Sequence, residues 1–129
     1  MGSRNAIGVL IADDHDQFVS VLEAILVTEK DLAVLGVATD GEEAVELSAE
    51  LEPDVVLMDI SMPVMDGFEA TRRIRATRPG TNVIIVTGSS AEEDRAQARE
   101  VGAVAYVQKE RILEELAPAV RSAADGQLS

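Results

Sequence analysis

Charged and hydroxyl side chains follow four separate apolar runs of this chain, at the point where each run ends. They are Asp13 with Asp14, then Asp59, Thr87 and Lys109. If the runs are neighbouring parallel strands, their carboxyl ends share one edge of a sheet, and these side chains converge there. Together they would form a site for Mg²⁺ and a phosphorylated carboxylate.

Three carboxylates placed close together need a cation, because each pair at about 4 Å repels by about 1 kcal/mol in water and about 4 kcal/mol at an effective dielectric of about 20. An oxygen-only ligand set favours Mg²⁺. Asp59 stands alone and central, which makes it the candidate nucleophile toward phosphorus. Lys109 would contact the phosphate through its ammonium and Thr87 through its hydroxyl. Gly88 leaves room for a backbone N–H to approach the same group.

Five runs rich in β-branched and aliphatic side chains are the predicted strands that position these residues. Each run is nearly continuous, as in strands buried on both faces of a parallel sheet. The predicted strands are residues 7–12, 33–38, 55–58, 83–86 and 104–107. Helical segments alternate with them, and this strict alternation predicts an α/β, doubly wound sheet with five helices on its two faces.

Four of the five helical segments carry a clear apolar stripe. The first stripe contains Phe18, Val21, Leu22, Ile25 and Leu26, and the last contains Leu113, Leu116, Ala117, Val120 and Ala124. The fourth segment, about 91–101, offers only Ala98 and Val101 as buried contacts, so we expect a lightly anchored helix. Helix boundaries are indicated by Asp40, Asp66, Gly102 and Gly126.

Composition limits the classes of function. The chain has 129 residues, 47% of them hydrophobic, no cysteine and a net charge of −13. That size fits one domain, and the missing cysteine excludes disulfides and cysteine-bound metals. The scattered basic residues predict that the domain itself repels nucleic acid. No stretch resembles a secretory signal or a membrane span, so a cytoplasmic location is expected.

At the strand-end residues the chain closely resembles the receiver domain of bacterial two-component response regulators. The matching segments are residues 10–15, 54–67, 84–88 and 102–109, with the sequences LIADDH, DVVLMDISMPVMDG, IIVTG and GAVAYVQK. The resemblance covers about residues 7–122. It implies a flavodoxin-like fold with strand order 2-1-3-4-5.

The resemblance also implies roles for individual residues. Asp59 would accept a phosphoryl group from a sensor histidine kinase. Asp14 and Asp59 would bind Mg²⁺ together with the backbone carbonyl of Ser61, and Asp13 would help through water. The domain would catalyse only its own phosphorylation and dephosphorylation, and no other cofactor is expected.

A switch is implied at Thr87 and Tyr106. The hydroxyl of Thr87 would move toward the phosphate, and the ring of Tyr106 would turn inward. Phosphorylation adds about −1.5 to −2 charge, which could draw in the lysine and the threonine. A plain core role for Tyr106 is the alternative interpretation.

One position departs from the family pattern. Proline, often after a cis bond, commonly follows the conserved lysine, but Glu110 follows Lys109 here. We therefore expect a trans bond, and the negative Glu110 could draw Lys109 away from the phosphate. Ser61 and Ser89 occupy positions that tune dephosphorylation in the family, and we expect two small polar residues there to leave water access open. His15 could line the site, although a solvated position in the first helical turn is the favoured interpretation.

The domain boundaries are predicted from the same pattern. Residues 1–6 form an N-terminal tail that could be left from expression, 7–124 the receiver domain, and 125–129 the start of a linker. The ending resembles regulators of the NarL/FixJ class, with a LuxR-type helix-turn-helix. Contact with DNA would come only through that further C-terminal domain, and phosphorylation could form a homodimer.

Other functions remain open alternatives. A stand-alone receiver would act by protein contact alone. A Mg²⁺-dependent phosphatase with an aspartyl nucleophile also places Asp at a strand end, but Ser61 stands where its general acid would be another Asp. A flavodoxin shares the fold, yet no segment resembles its phosphate loop.

Overall fold

A five-stranded parallel sheet forms the centre of the molecule in the computed structural model, which describes residues 6–125. Its strand order is β2-β1-β3-β4-β5, as predicted. The strands are β1 (Ile7–Ala12), β2 (Leu32–Ala38), β3 (Val55–Met58), β4 (Asn82–Thr87) and β5 (Ala105–Gln108). Each observed boundary lies within one residue of the predicted one.

One helix follows each strand, so the alternation predicted from the sequence is confirmed. The helices are α1 (Asp16–Val27), α2 (Gly41–Leu51), α3 (Gly67–Thr77), α4 (Glu92–Glu100) and α5 (Ile112–Ala124). A 3₁₀ turn, Lys109–Arg111, precedes α5. The predictions made for residues 1–5, for Gly126 and for the linker beyond 125 fall outside the described residues.

The sheet separates two apolar cores because successive strand residues point to opposite faces. In β1, Val9 and Ile11 pack with α1 and α5, whereas Leu10 and Ala12 pack with α2, α3 and α4. All six residues of β1 are buried. This burial on both sides is the physical reason for the continuous apolar runs in the sequence.

The predicted helix boundaries are confirmed where the structure describes them. The side chain of Asp40 accepts a hydrogen bond from Glu43 N at 2.8 Å and caps α2, and Asp66 accepts one from Glu69 N at 2.9 Å and caps α3. Gly102 has a φ of 103°, the left-handed conformation that ends a helix at low cost when the residue is glycine.

Two residues of the predicted apolar stripes face solvent instead. Val21 of α1 is 43% exposed and Leu113 of α5 is 81% exposed. Val19 and Ile112 are buried in their place. In α5 the preceding 3₁₀ turn sets the rotation of the helix, which sequence spacing alone does not specify.

Helix α4 is the least anchored helix, as expected. Ala98 is its one buried residue, and Val101, at its C-cap, adds a second contact to the same core. A helix held by so little apolar area can shift at low free-energy cost.

Candidate functional site

The carboxyl ends of β1 and β3 bring three acidic residues together. Asp13 and Asp14 follow β1, and Asp59 follows β3. Backbone bonds continue the sheet beyond both strands, because Asp13 N donates to Ala38 O at 3.0 Å and Asp59 N donates to Ala12 O at 2.9 Å. We call Asp13, Asp14 and Asp59 the acid rim.

The acid rim is buried unequally. Asp13 is 2% exposed and Asp59 is 4% exposed, whereas Asp14 is open to solvent. One carboxylate oxygen from each, together with a ring nitrogen of His15, lie within 4.8 Å of one another. Such a group of ligand atoms is able to hold a divalent cation.

Burial raises the pKa of the Asp59 carboxyl from its ordinary 3.8 to about 6, and the nearby charge of Asp13 adds to the rise. The charge of Lys109, the hydrogen bond from Ile60 N at 2.9 Å and the charge of His15 oppose it. That backbone bond occupies the Oδ1 atom of Asp59. The ionised carboxylate is therefore held in a setting that a bound cation would relieve.

Lys109 reaches the acid rim from the end of β5. Its Nζ lies 3.1 Å from Asp13 Oδ2 and 3.8 Å from Asp59 Oδ2. The bond to Glu110 is trans, as expected, since the described residues contain no cis peptide. Within residues 6–125 the ammonium pairs with the two acids, whereas Glu110 accepts a hydrogen bond from Gln108 Nε2 at 3.5 Å. That Glu110 draws the lysine away from a phosphate stays a prediction.

Phe18 of α1 also contacts Lys109, a contact that the sequence analysis missed. The ammonium lies 4.2 Å from the centre of the Phe18 ring. An aromatic face attracts a cation at this distance by about 0.5–2 kcal/mol. The ring and the acid rim therefore fix the ammonium from two sides, although no proline stiffens the loop at residue 110.

His15 is exposed at the start of α1, as the favoured interpretation had it, and it also lines the acid rim, which was the alternative. It occupies the N-cap position of α1, and its Nδ1 is 2.9 Å from Asp13 Oδ1. The hydrogen bond with Asp13 and the charges of Asp13 and Asp14 raise the pKa of the imidazole. Its position directly after the acid pair was the signal available in the sequence.

Thr87 ends β4 on the same edge of the sheet. Met58 of β3 pairs with Ile85 of β4. Asp59 and Thr87 both lie beyond this pair, at the carboxyl ends of the two adjacent strands. Thr87 is 6% exposed, and its hydroxyl oxygen accepts a hydrogen bond from Ser89 N at 3.3 Å. A Cβ added at Gly88 would meet no atom within 4 Å, so the space above the strand end is open.

Tyr106 connects the same loop to α4. Its hydroxyl donates to the carbonyl of Ser89 at 2.9 Å, and its half-buried ring lies under the guanidinium of Arg95 at 4.5 Å. Arg95 also donates to Gln108 Oε1 at 3.3 Å. These contacts join β5, α4 and the loop that follows Thr87.

The fold agrees with that of the family whose sequence profile matches the chain. The profile of the response regulator receiver domain matches residues 9–121. The chain belongs to this family. The receiver domain therefore accounts for all five strands, β1 to β5, and for most of α5.

Individual relatives agree with the assignment. The receiver domain is 39% identical over 121 residues to the transcriptional regulatory protein LiaR of Bacillus subtilis and 38% identical over 121 residues to the response regulator GacA of Pseudomonas aeruginosa. These matches cover 94% of this chain but 57% and 56% of those proteins. The chain thus spans just over half the length of these curated relatives.

Solved structures show the same fold. The signal receiver domain of the response regulator NarL from Mycobacterium tuberculosis superposes with a TM-score of 0.91 at 30% identity, covering 95% of this chain and 99% of that one. The receiver domain of Thermotoga maritima CheB gives 0.88 at 34% identity, covering 94% and 98%. None of the helices in residues 6–125 is long and apolar enough to cross a membrane.

The remaining predicted ligand, Ser61, lies in the loop after β3. It is exposed, two residues beyond Asp59. The role of Ser61 as a carbonyl ligand stays a prediction.

Proposed function

We propose that this receiver domain takes a phosphoryl group from the phosphohistidine of a sensor histidine kinase onto Asp59. The observation that carries the proposal is the Oδ2 atom of Asp59. It belongs to a side chain that is 5% exposed, and within the described residues it has only distant cations, Nδ1 of His15 at 3.7 Å and Nζ of Lys109 at 3.8 Å. A carboxylate oxygen that accepts no hydrogen bond is available for reaction.

Mg²⁺ fits this site because the acid rim supplies oxygen ligands and an unbalanced charge. The three carboxylates outnumber the nearby cationic groups, which are the ammonium of Lys109 and the imidazole of His15. Asp14 and Asp59 would hold the ion directly with the carbonyl of Ser61, and Asp13 would act through water. A bound Mg²⁺ supplies charge neutralisation on the incoming phosphoryl group.

Asp59, Lys109 and Thr87 have separate roles in the transfer of the phosphoryl group. The Asp59 carboxylate forms the new P–O bond while the P–N bond of phosphohistidine breaks, and the imidazole of the kinase departs with the electron pair. Lys109 attracts a phosphoryl oxygen with its ammonium, and Thr87 donates its hydroxyl to another. Water later attacks the phosphoryl group, releases it as phosphate and restores the Asp59 carboxylate. The only reactions that the domain catalyses are thus its own phosphorylation and dephosphorylation.

The response to phosphorylation is proposed to run through Thr87 and Tyr106. The backbone of Ser89 contacts both residues, through its N–H to Thr87 Oγ1 and its carbonyl to the Tyr106 hydroxyl. A Thr87 hydroxyl drawn toward the phosphoryl group would release or move this loop. Because α4 is held by little apolar area, its surface with β5 and α5 is free to change.

The output is proposed to be transcriptional control in the cytoplasm. The relatives LiaR and GacA, a transcriptional regulatory protein and a response regulator, extend well beyond the matched region. We infer that a DNA-binding domain follows this receiver in the whole protein and that phosphorylation favours a homodimer. The receiver itself carries a net charge of −13, which disfavours direct contact with DNA.

The test is uptake of a phosphoryl group by the purified domain. Incubation with Mg²⁺ and a small phosphodonor such as acetyl phosphate is expected to add the mass of one phosphoryl group to the intact chain. Asp59→Ala is expected to show no gain, because it lacks the acceptor oxygen. Intact-protein mass spectrometry measures both.

Asp66→Asn is the matched control for this test. Asp66 lies in the same loop but is exposed and caps α3, a task that asparagine also performs. It should gain the phosphoryl group like the native chain. Equal gain by Asp59→Ala, or none by the native chain, would overturn the proposal, and sustained hydrolysis of a phosphate ester would favour the phosphatase instead.

Phe18 offers a finer test of how Lys109 is held. Phe18→Leu keeps apolar volume but removes the ring face, so phosphorylation by the small donor is expected to slow about 3- to 10-fold, the equivalent of about 0.7–1.4 kcal/mol. Phe18→Tyr keeps the face and should restore the rate. If the two variants slow equally, the ring does not position the ammonium.

A further inference from the structure

A cavity of about 230 Å³ lies between α4 and β5, and no residue of the acid rim lines it. Arg95 and Arg99 line it from α4, and residues 103–106 line it from β5 and the turn before that strand. We call it the α4–β5 cavity. The charged residues among its lining are both arginines, so the cavity is suited to an anion.

The two guanidinium groups of the cavity have no carboxylate partner within residues 6–125. Arg95 is half-buried and contacts two uncharged groups, the Tyr106 ring at 4.5 Å and Gln108 Oε1 at 3.3 Å. Arg99 is exposed and forms no ion pair in the same part of the chain. Because the chain has 24 acidic residues against 11 lysines and arginines, a shortage of acids does not explain this absence.

The spacing of the two arginines is a second, independent indication of a ligand. They are four residues apart on α4, so their Cβ atoms lie about 6 Å apart on one face of the helix, and like charges at this spacing destabilise a helix. An anion between them would replace this repulsion by attraction to both groups. Helix α4 has one buried residue, Ala98, so it would gain stability from such a contact.

Size and charge define the class of anion. A volume of about 230 Å³ is below the range of about 300–1,000 Å³ that is usual for larger organic ligands, so a small ligand fits best. A guanidinium offers paired N–H donors that match the oxygens of a phosphate. The net charge of −13 acts weakly here, because at about 0.15 M salt charges more than about 8 Å away are largely screened.

We propose that the α4–β5 cavity binds a phosphate anion, free or as the monoester of a small molecule, between the guanidinium groups of Arg95 and Arg99. The site goes beyond the proposed function and does not depend on it, because it shares no residue with the acid rim. Arg95 already lies over the Tyr106 ring and donates to Gln108, so its guanidinium is held in place before the anion arrives. A small phosphorylated ligand would thus contact α4 directly beside Tyr106.

The test is a titration of the ¹⁵N-labelled domain in metal-free buffer with sodium phosphate and, in a separate series, with glycerol 3-phosphate. Sodium chloride keeps the ionic strength constant, and nuclear magnetic resonance follows the Nε–Hε signals of the arginines. The signals of Arg95 and Arg99 are expected to shift and saturate. Tighter binding of the ester would identify a small phosphorylated molecule as the ligand, and equal binding would identify free phosphate. At about ten times the dissociation constant, hydrogen exchange of the α4 amides should slow about tenfold.

Arg99→Gln is the decisive variant, because its exposed side chain can be replaced without disturbing the core. It is expected to raise the dissociation constant at least about tenfold. Arg72→Gln makes the same change of charge on α3, at an arginine that is paired with Glu69 at 2.6 Å, and should bind like the native chain. Asp59→Ala should also bind normally. Shifts that do not saturate, native binding by Arg99→Gln, or loss of binding in Asp59→Ala would each overturn the proposal.

Discussion

Asp59→Asn is expected to make the receiver domain more stable in metal-free buffer at pH 7.5, raising the free energy of unfolding by up to about 3 kcal/mol. The native carboxyl has a pKa of about 6 instead of 3.8, chiefly because it is buried and also because Asp13 is near. A rise of about two pKa units corresponds to about 3 kcal/mol between the protonated and ionised states. Asparagine keeps the shape and removes the charge.

The pH dependence follows from the direction of the shift. The folded chain binds this proton more tightly than the unfolded chain does, so ionised Asp59 lowers stability in full above its folded pKa of about 6. The cost shrinks as the pH falls from about 6 toward 3.8 and disappears below that value. The advantage of Asp59→Asn should therefore be large at pH 7.5, smaller at about pH 5 and absent near pH 3.5.

Urea unfolding followed by far-ultraviolet circular dichroism measures this advantage at each pH. Asp66→Asn is the control, because it replaces an exposed acid with a residue that still caps α3, and its effect should stay within about 0.5 kcal/mol at every pH. Adding Mg²⁺ should narrow the gap by stabilising the native chain more than the variant. An Asp59→Asn variant no more stable than the native chain at pH 7.5 would show that the buried charge has no net cost.

The sheet could be predicted from the sequence because burial on both faces leaves a simple signal. Strands β1 and β3 were predicted to the residue, and β5 was displaced by one. Helix faces were predicted less well, as Val21 and Leu113 show, since an apolar side chain at helical spacing does not reveal how the helix is rotated. That rotation depends on how the chain enters the helix.

The positions of the chemical groups could be predicted from strand ends, whereas contacts between elements could not. The acid rim follows from the topology alone. The contact of Lys109 with Phe18 joins the end of β5 to α1, and no spacing in the sequence predicts it. The place of His15 depends on its side-chain rotamer at the start of α1, which the neighbouring acids determine.

Gly67 shows a further limit of sequence reasoning and leads to the second large effect. It is the first residue of α3, and its backbone lies against the peptide of the acceptor. A Cβ added there would stand 2.0 Å from the carbonyl oxygen of Asp59 and 3.0 Å from the Cα of Ile60. Both are backbone atoms, which cannot rotate away as the end of a side chain can.

Gly67→Ala is therefore expected to lower the free energy of unfolding by more than about 3 kcal/mol, because the helix start and the strand end must separate. Alanine has a higher helix propensity than glycine, which alone would raise the stability. A loss of stability is therefore due to the clash. Gly80→Ala is the matched control, since a Cβ there would meet no atom within 4 Å. It should be neutral or stabilise by up to about 1 kcal/mol.

The clash should also slow phosphorylation, because the carbonyl that the added methyl group displaces belongs to the acceptor, Asp59. Under conditions where circular dichroism shows Gly67→Ala folded, phosphorylation by a small donor with Mg²⁺ is expected to slow more than tenfold, while Gly80→Ala keeps the native rate. A folded Gly67→Ala variant with native stability and rate would mean that the acceptor peptide can move without cost. A loss of stability with a native rate would separate the packing of α3 from the position of the acceptor carboxylate.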